Sequence, residues 1–92
     1  MGVDRIGVQP VVAVASQAMT ETSYRVVPLK DGNEQDPSPA VTCTNDLSAP
    51  GNVNFVHWHG DADRYRVETA RDGKFVSLCE VEASSFVDDG SA

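Results

Sequence analysis

The tetrapeptide Arg71-Asp72-Gly73-Lys74 stands between two runs of strand-forming residues, and it restricts the fold more than any other local feature. Asp-Gly supplies the positive φ angles that a two-residue type I′ hairpin turn requires. The register of the hairpin predicts three facing pairs: Thr69 with Val76, Val67 with Leu78, and Tyr65 with Glu80. Tyr65, Val67, Val76 and Leu78 then share one face, which we assign to the core. A one-residue bulge would reverse these assignments.

The rest of the chain has the same strand-forming character, and no window of eleven residues shows apolar residues at helical spacing. Gln17 to Thr22 is the one stretch where we allow a single helical turn. We expect strands near Val11–Ala15, Ser23–Leu29, Val41–Thr44, Asn52–Trp58, Arg64–Ala70 and Phe75–Glu82, with a further short strand or arm near Ile6–Gln9. The predicted fold class is therefore all-β, a small antiparallel sandwich or barrel of six to seven strands.

The length of 92 residues predicts one domain. We place it at residues 1–83, with an N-terminal arm at about 1–10. Residues 84–92 end in Asp-Asp-Gly-Ser-Ala and are predicted to form a polar C-terminal tail. Residues 31–40 contain Asp-Gly, Asp-Pro and Ser-Pro and are predicted to form a stiff, solvated loop.

The two halves of the chain share a pattern. Tyr24-Arg25-Val26 and Tyr65-Arg66-Val67 are each followed by three variable residues, a cation and Asp-Gly. An apolar run precedes each copy, and a strand with a cysteine, Cys43 or Cys79, follows it. This pattern indicates a duplicated three-strand unit about a pseudo-twofold axis, with the two cysteines in equivalent places; chance similarity between β segments is the alternative.

The formal net charge of −7 and the absence of adjacent basic residues argue against a nucleic-acid partner, because phosphate binding needs clustered Lys and Arg. The longest apolar run, Val11 to Ala15, is too short for a membrane span or for the core of a signal peptide. We therefore expect no membrane partner, cytoplasmic synthesis without export, and cysteines that are more often free thiols than a disulfide.

The only two histidines, His57 and His59, flank the only tryptophan, Trp58. In a strand the two imidazoles point to one side and the indole to the other. A zinc or copper site needs at least three protein ligands, so Asp61, Asp63 or a cysteine would have to complete it. We favour no metal and no other cofactor, and His57, His59, Asp61 and Asp63 are the candidates if a metal binds. Asp61 and Asp63 beside Gly60 also offer oxygens to calcium, although a solvated turn explains them as well.

Two resemblances involve this segment. His57-Trp58-His59-Gly60 resembles the copper-ligand segments of multicopper oxidases, which take their ligands from several such segments where this chain has one. Gly51, five residues, His57, one residue, His59 resembles the opening half of a cupin metal motif. The glutamate of that motif would fall at Asp63 or Arg64, and its later histidine is missing here.

Trp58 and Tyr65, with Tyr24, could form a stacking platform for sugars, as in small lectins. A domain with six aromatic residues needs most of them for its own core, so Trp58 and Tyr65 are weak ligand-binding candidates. The sequence has no Gly-X-Ser-X-Gly nucleophile elbow and no glycine-rich phosphate loop.

These observations favour a non-enzymatic structural or interaction protein. The form that we expect is an accessory or decoration protein of a virus or phage particle or another large assembly. Its partner would be a protein, either the larger assembly or further copies of itself, contacted by edge strands, the N-terminal arm or the tail. The alternatives are a small carbohydrate-binding module and a small metalloprotein that uses the His-Trp-His segment.

Overall fold

The computed structural model describes residues 3–90; Met1, Gly2, Ser91 and Ala92, at the ends of the predicted arm and tail, lie outside the described residues. These residues contain no helix. Eight strands form the fold: β1 (Asp4–Val11), β2 (Thr20–Lys30), β3 (Asn33–Glu34), β4 (Val41–Asn45), β5 (Val53–His59), β6 (Arg64–Arg71), β7 (Lys74–Val81) and β8 (Ser85–Asp88). The predicted all-β, antiparallel class is confirmed, and β3 and β8 raise the number of strands above the expected range. Residues 3–90 include no helix able to cross a membrane.

The strands form two antiparallel sheets, one of which curls into a half-barrel. Sheet A has the order β1-β5-β8. In sheet B, β2 is central: β6 and then β7 follow along one edge, and β3 and β4 share the other. Strand β4 also packs beside β1, which brings the two sheets together along one side.

The core lies between the two sheets and is built from alternate residues of the central strands. Its buried apolar residues are Val3, Tyr24, Val26, Val56, Trp58, Tyr65 and Val67. Tyr24 and Tyr65 are the largest side chains that are almost completely buried. Burial of Tyr65 and Val67 agrees with the sequence prediction. Val76, which was expected in the core, is 37% exposed.

Both Asp-Gly turns have the predicted backbone. Asp31 and Gly32 have φ angles of 52° and 77°, and Asp72 and Gly73 have 52° and 79°. The predicted pair Thr69 and Val76 is also present.

Beyond that pair, the predicted register of the β6–β7 hairpin is wrong. Val67 faces Cys79 and Tyr65 faces Val81, because a bulge between Val67 and Glu68 leaves one extra residue, Leu78, in β7. The bulge turns Cys79 and Val81 toward the core, and Leu78, which was expected in the core, also packs against it.

Three local predictions differ from the structure. The first strand covers Asp4–Val11 instead of Val11–Ala15, so the segment expected as an arm is part of sheet A. The segment expected as a polar tail contains β8, which pairs with β5. In β8, Phe86 packs against the core and Val87 points outward. Gln17 to Thr22 forms no helical turn, and β2 already begins at Thr20.

Candidate interaction surface

The outward face of sheet A carries apolar side chains where an exposed sheet face is usually polar. Burial alternates along β5, so that Asn54, Val56 and Trp58 point inward while the residues between them point outward. Cross-strand pairing aligns Val11 with Val53 and Val87 with Phe55 on the outward side. We call these four residues, Val11, Val53, Phe55 and Val87, the apolar face.

The residues that follow β1 extend this surface. Val12 and Val14 are 47% and 45% exposed, close to the 46% of Val11 and the 51% of Val87. Four of the six large hydrophobic residues classed as exposed in residues 3–90 therefore lie on the apolar face or directly after it. Exposed Gln9 pairs with Phe55 and adds a polar side chain to this side of the sheet. Grouped exposed apolar residues mark contact sites more often than scattered single residues do.

The apolar face is also uncharged. The sequence has no charged residue between Arg5 and Glu21, and none between Val53 and His59. His57 and His59 also point outward from β5, and the His57 ring stacks on Phe55 with 5.7 Å between centroids. The four residues of the apolar face thus carry no charge in a chain whose formal net charge is −7.

The exposed segment 12–14 is held rigidly by Asn52, which is 1% exposed. The backbone N–H groups of Ala13 and Val14 donate to Asn52 Oδ1 at 2.7 and 2.8 Å. Asn52 Nδ2 donates to the carbonyl oxygens of Val14 at 2.9 Å and Asp46 at 3.0 Å. Since the backbone is fixed, Val12 and Val14 are displayed in a set conformation, which lowers the entropy lost when a partner binds.

A second buried asparagine holds the end of β1. Asn45 Nδ2 lies 3.3 Å from the carbonyl oxygen of Val11 and 3.1 Å from that of Val53. It also lies 3.1 Å from Asn54 Oδ1, while Asn45 Oδ1 accepts from the N–H of Asp46. The carbonyl groups beneath the apolar face are thus hydrogen-bonded from inside the fold.

The polar chain continues from Asn54 to the C-terminal strand. Asn54 Nδ2 donates to the Tyr24 hydroxyl at 2.8 Å, and that hydroxyl donates to Asp88 Oδ2 at 2.5 Å. Asp88 Oδ1 accepts from the N–H of Gly90 at 3.0 Å. Burial, followed by the hydrogen bond to Asp88, raises the pKa of Tyr24, so the phenol stays protonated and acts as the donor.

Sheet B presents a different outward face, in which charges are paired. Glu68, whose side chain is 8% exposed, accepts from Arg25 Nε at 2.6 Å and from Arg66 Nε at 2.9 Å. Arg66 also donates to Glu34 at 2.8 Å, and Arg25 lies 4.3 Å from the centre of the Phe75 ring. The outward face of sheet B is thus charged, whereas the apolar face of sheet A is not.

The candidate metal ligands are not brought together. His57 and His59 both point outward from β5, as predicted, and Asp61 is exposed in the connection to β6. Asp63 Oδ2 accepts from the N–H of Asp31 at 2.9 Å and so ties that connection to the β2–β3 turn. Within residues 3–90 no three His, Cys, Asp or Glu side chains form a group that could hold a metal ion.

The candidate sugar-stacking residues lie in the core. Trp58 and Tyr65 pack edge to face with 5.5 Å between ring centroids, and both are buried. The Tyr65 hydroxyl accepts from the N–H of Ala62 at 3.0 Å. A stacking platform needs exposed ring faces, which these two residues do not offer.

Cys43 and Cys79 are free thiols on β4 and β7, strands separated by β2 and β6 in sheet B. Burial, with a smaller effect of the Asp88 carboxylate, raises the pKa of both thiols. A raised pKa lowers the thiolate fraction at neutral pH, so both residues are poor nucleophiles.

Comparison of the chain with protein-family models, with curated proteins and with solved structures finds no match. The apolar face itself was not found by sequence reasoning. The sequence feature that could have indicated this face is the uncharged stretch from Ile6 to Thr20, which was interpreted as an arm followed by a strand.

Proposed function

We propose that this protein is a non-enzymatic interaction module that docks onto a protein partner through the apolar face and the adjoining segment 12–14. The observation that carries the proposal is the outward projection of Val11, Val53, Phe55 and Val87 from a sheet whose other face already packs on the core. The setting that we propose is a larger assembly, such as a virus or phage particle, in which the protein is an accessory subunit.

Burial of exposed valine and phenylalanine side chains supplies the driving force. Each fully buried side chain of this type contributes about 1.5 to 3 kcal/mol before the cost of association is subtracted. Docking would leave the backbone beneath the face paired, because Asn45 and Asn52 already satisfy nearby backbone carbonyls and N–H groups from inside. This combination suits a dry contact between two protein surfaces.

The reactive side chains support a role without catalysis. The pKa of both thiols is raised, the Tyr24 hydroxyl is engaged with Asp88, and Glu68 is engaged with two arginines. Catalysis by Tyr24 or Glu68 would have to break these hydrogen bonds, and the raised pKa makes both thiols poor nucleophiles.

The proposal is tested by native mass spectrometry of the untagged protein isolated from its source. Val87→Asp and Val12→Asp place a carboxylate on the proposed surface. Val76→Asp is the matched control, because Val76 is an exposed valine on β7 of sheet B. We expect the wild type and the control to be recovered with a larger protein assembly, and the two face variants to be recovered without it. Recovery of the face variants in the same assembly as the wild type, or of the wild type without any associated subunit, would contradict the proposal.

A further inference from the structure

We propose that a cavity between the ends of the two sheets binds a primary ammonium group, carried by a small amine or by a lysine side chain, through the buried carboxylate of Asp88. The cavity has a volume of about 210 Å³ and lies between β2 and β6 of sheet B and β8 of sheet A. Most of its lining is polar: Glu21, Thr22, Thr69, Arg71 and Asp88. The inference is independent of the proposed function, because none of these residues belongs to the apolar face.

The Asp88 carboxylate is a buried charge without a cationic partner. Asp88 is 7% exposed. Its two oxygens accept from neutral donors, the Tyr24 hydroxyl at 2.5 Å and the Gly90 N–H at 3.0 Å. Within residues 3–90 no Lys, Arg or His side chain forms an ion pair with Asp88. Because buried charges in proteins are normally paired, the cavity beside this carboxylate is a place where a cation would be stabilised.

The charges around the cavity favour a cation over an anion. Two carboxylates, Glu21 and Asp88, and one guanidinium, Arg71, line it, which leaves an excess of one negative charge. Glu21 and Arg71 are exposed, so the cavity can be entered from solvent, and Asp88 belongs to its buried part. A monovalent cation would neutralise the excess charge.

The acceptors around the cavity suit a compact ammonium group. An ammonium has three N–H donors, and an ionised carboxylate has about four acceptor positions, of which Asp88 uses two. Thr69 Oγ1 donates its hydrogen to the carbonyl oxygen of Ser23 at 2.9 Å, so towards a further polar group this hydroxyl acts as an acceptor. Leu47 also lines the cavity and offers apolar surface to the alkyl chain of an amine.

Other cations fit the cavity less well. A metal ion needs several protein ligands, and within residues 3–90 no three His, Cys, Asp or Glu side chains form a group that could hold one. A guanidinium pairs best with a carboxylate whose two oxygens are both open to it, and both oxygens of Asp88 already accept a hydrogen bond. A ligand of so few atoms buries little surface, so we expect a dissociation constant on the order of 1 mM.

The test is a titration of the purified full chain with propylammonium chloride from about 0.1 to about 30 mM, a range that spans this constant, followed by NMR of the backbone amides. The Gly90 amide reports on the site directly, since it donates to Asp88. Sodium chloride at the same ionic strength controls for charge, and tetramethylammonium chloride, which has no N–H donor, controls for hydrogen bonding. We expect saturable shifts at Gly90 and Ala70 with propylammonium alone.

Four variants test the contribution of each charge. Arg71→Gln should tighten binding and Glu21→Gln should weaken it, each by about two- to fivefold, because both charges are exposed. Asp88→Asn should weaken binding by at least about tenfold. Glu82→Gln is the matched control and should bind as the wild type does, because Glu82 is exposed in the connection between β7 and β8. If Asp88→Asn does not fold, the opposite effects expected at Glu21 and Arg71 decide the matter.

Shifts that do not saturate, or that sodium chloride reproduces, would overturn the inference. Equally tight binding of tetramethylammonium, tighter binding of guanidinium, or unchanged affinity in both the Glu21 and Arg71 variants would overturn it as well. A titration with Nα-acetyl-lysinamide then distinguishes the two sources of the group. Binding as tight as that of propylammonium assigns the site to a lysine side chain, and binding of propylammonium alone assigns it to a small amine.

Discussion

Val26 and Val67 face each other directly across the β2–β6 pair. They hold the same place in the two copies of the Tyr-Arg-Val pattern. On either side of them, Tyr24 faces Thr69 and Pro28 faces Tyr65. A twofold rotation through the Val26–Val67 pair exchanges those two flanking pairs, so the pairing relates the two copies of the pattern by a local twofold axis.

The two Asp-Gly turns provide a test of this symmetry. Gly32 and Gly73 have φ angles of 77° and 79°, and an added Cβ would meet no atom within 4 Å at either position. The cost of alanine is therefore that of the left-handed backbone alone, about 1 to 2 kcal/mol. We expect Gly32→Ala and Gly73→Ala to lower the free energy of unfolding, measured in urea, by equal amounts. Clearly unequal losses would show that the two turns are under different constraints.

Removal of the Tyr24 hydroxyl should be costly. The Asp88 carboxylate and the Asn54 amide both hydrogen-bond to the Tyr24 hydroxyl, so Tyr24→Phe removes one partner from each. An unsatisfied buried group costs about 1 to 3 kcal/mol, and more when it is charged. The matched control is Tyr65→Phe, because the Tyr65 hydroxyl accepts a hydrogen bond from the backbone N–H of Ala62 and holds no carboxylate. Urea denaturation should show the larger loss for Tyr24→Phe; equal losses would contradict the importance of the buried polar chain.

Asn52→Ala should release segment 12–14. The substitution removes the acceptor of the Ala13 and Val14 N–H groups, and we expect a loss of about 1 to 3 kcal/mol. Amide hydrogen exchange at Ala13 and Val14 should accelerate relative to the wild type. Asn33→Ala is the control, because Asn33 is exposed and its side chain makes one long contact, 3.4 Å to the carbonyl oxygen of Asp31. Unchanged protection at Ala13 and Val14 would show that another group holds the segment.

Glu68 should make the stability depend on pH. Burial disfavours its charged form, but the hydrogen bonds from Arg25 and Arg66 together outweigh burial and lower the pKa of Glu68. A carboxyl group whose pKa is lowered by folding stabilises the protein above its unfolded pKa, and this contribution is lost as the pH falls through the folded pKa. The wild type should therefore exceed Glu68→Gln in stability at pH 7, and the difference should shrink below the usual value of 4.5.

Urea denaturation at a series of pH values measures this difference. Glu80→Gln is the control, since Glu80 lies 3.7 Å from Arg64 in a half-exposed pair that solvent screens. A pH-independent difference between the wild type and Glu68→Gln would show that packing, rather than ionisation, explains the effect of Glu68.

The sequence predicted the parts of the fold that depend on neighbouring residues. The Asp72-Gly73 turn and the strand at β6 follow from local backbone preference and from alternation of side chains. The register of β7 was wrong after Val76 because a bulge costs only a local rearrangement, and the sequence around Leu78 does not require it.

The candidate site depended on distant contacts that no local pattern contains. The run from Val11 to Ala15 has the composition of a strand, yet Asn52, nearly forty positions later, hydrogen-bonds the backbone at Ala13 and Val14. Asparagine is typical of loops, so burial of Asn45 and Asn54 could not be predicted from residue type. Alternation along β5 already placed Phe55 on the same side as the two histidines and opposite Trp58, but it did not show which strands would pair with β5.

The polar chain from Asn45 through Asn54 and Tyr24 to Asp88 joins β4, β5, β2 and β8, and so spans both sheets and both halves of the chain. Neither half contains all four groups, although each has its own hairpin turn. During synthesis Tyr24 leaves the ribosome long before Asp88 does, so its hydroxyl has no carboxylate partner until β8 has been made. Folding should therefore be completed after β8 emerges, in a single cooperative step, rather than one half of the chain at a time.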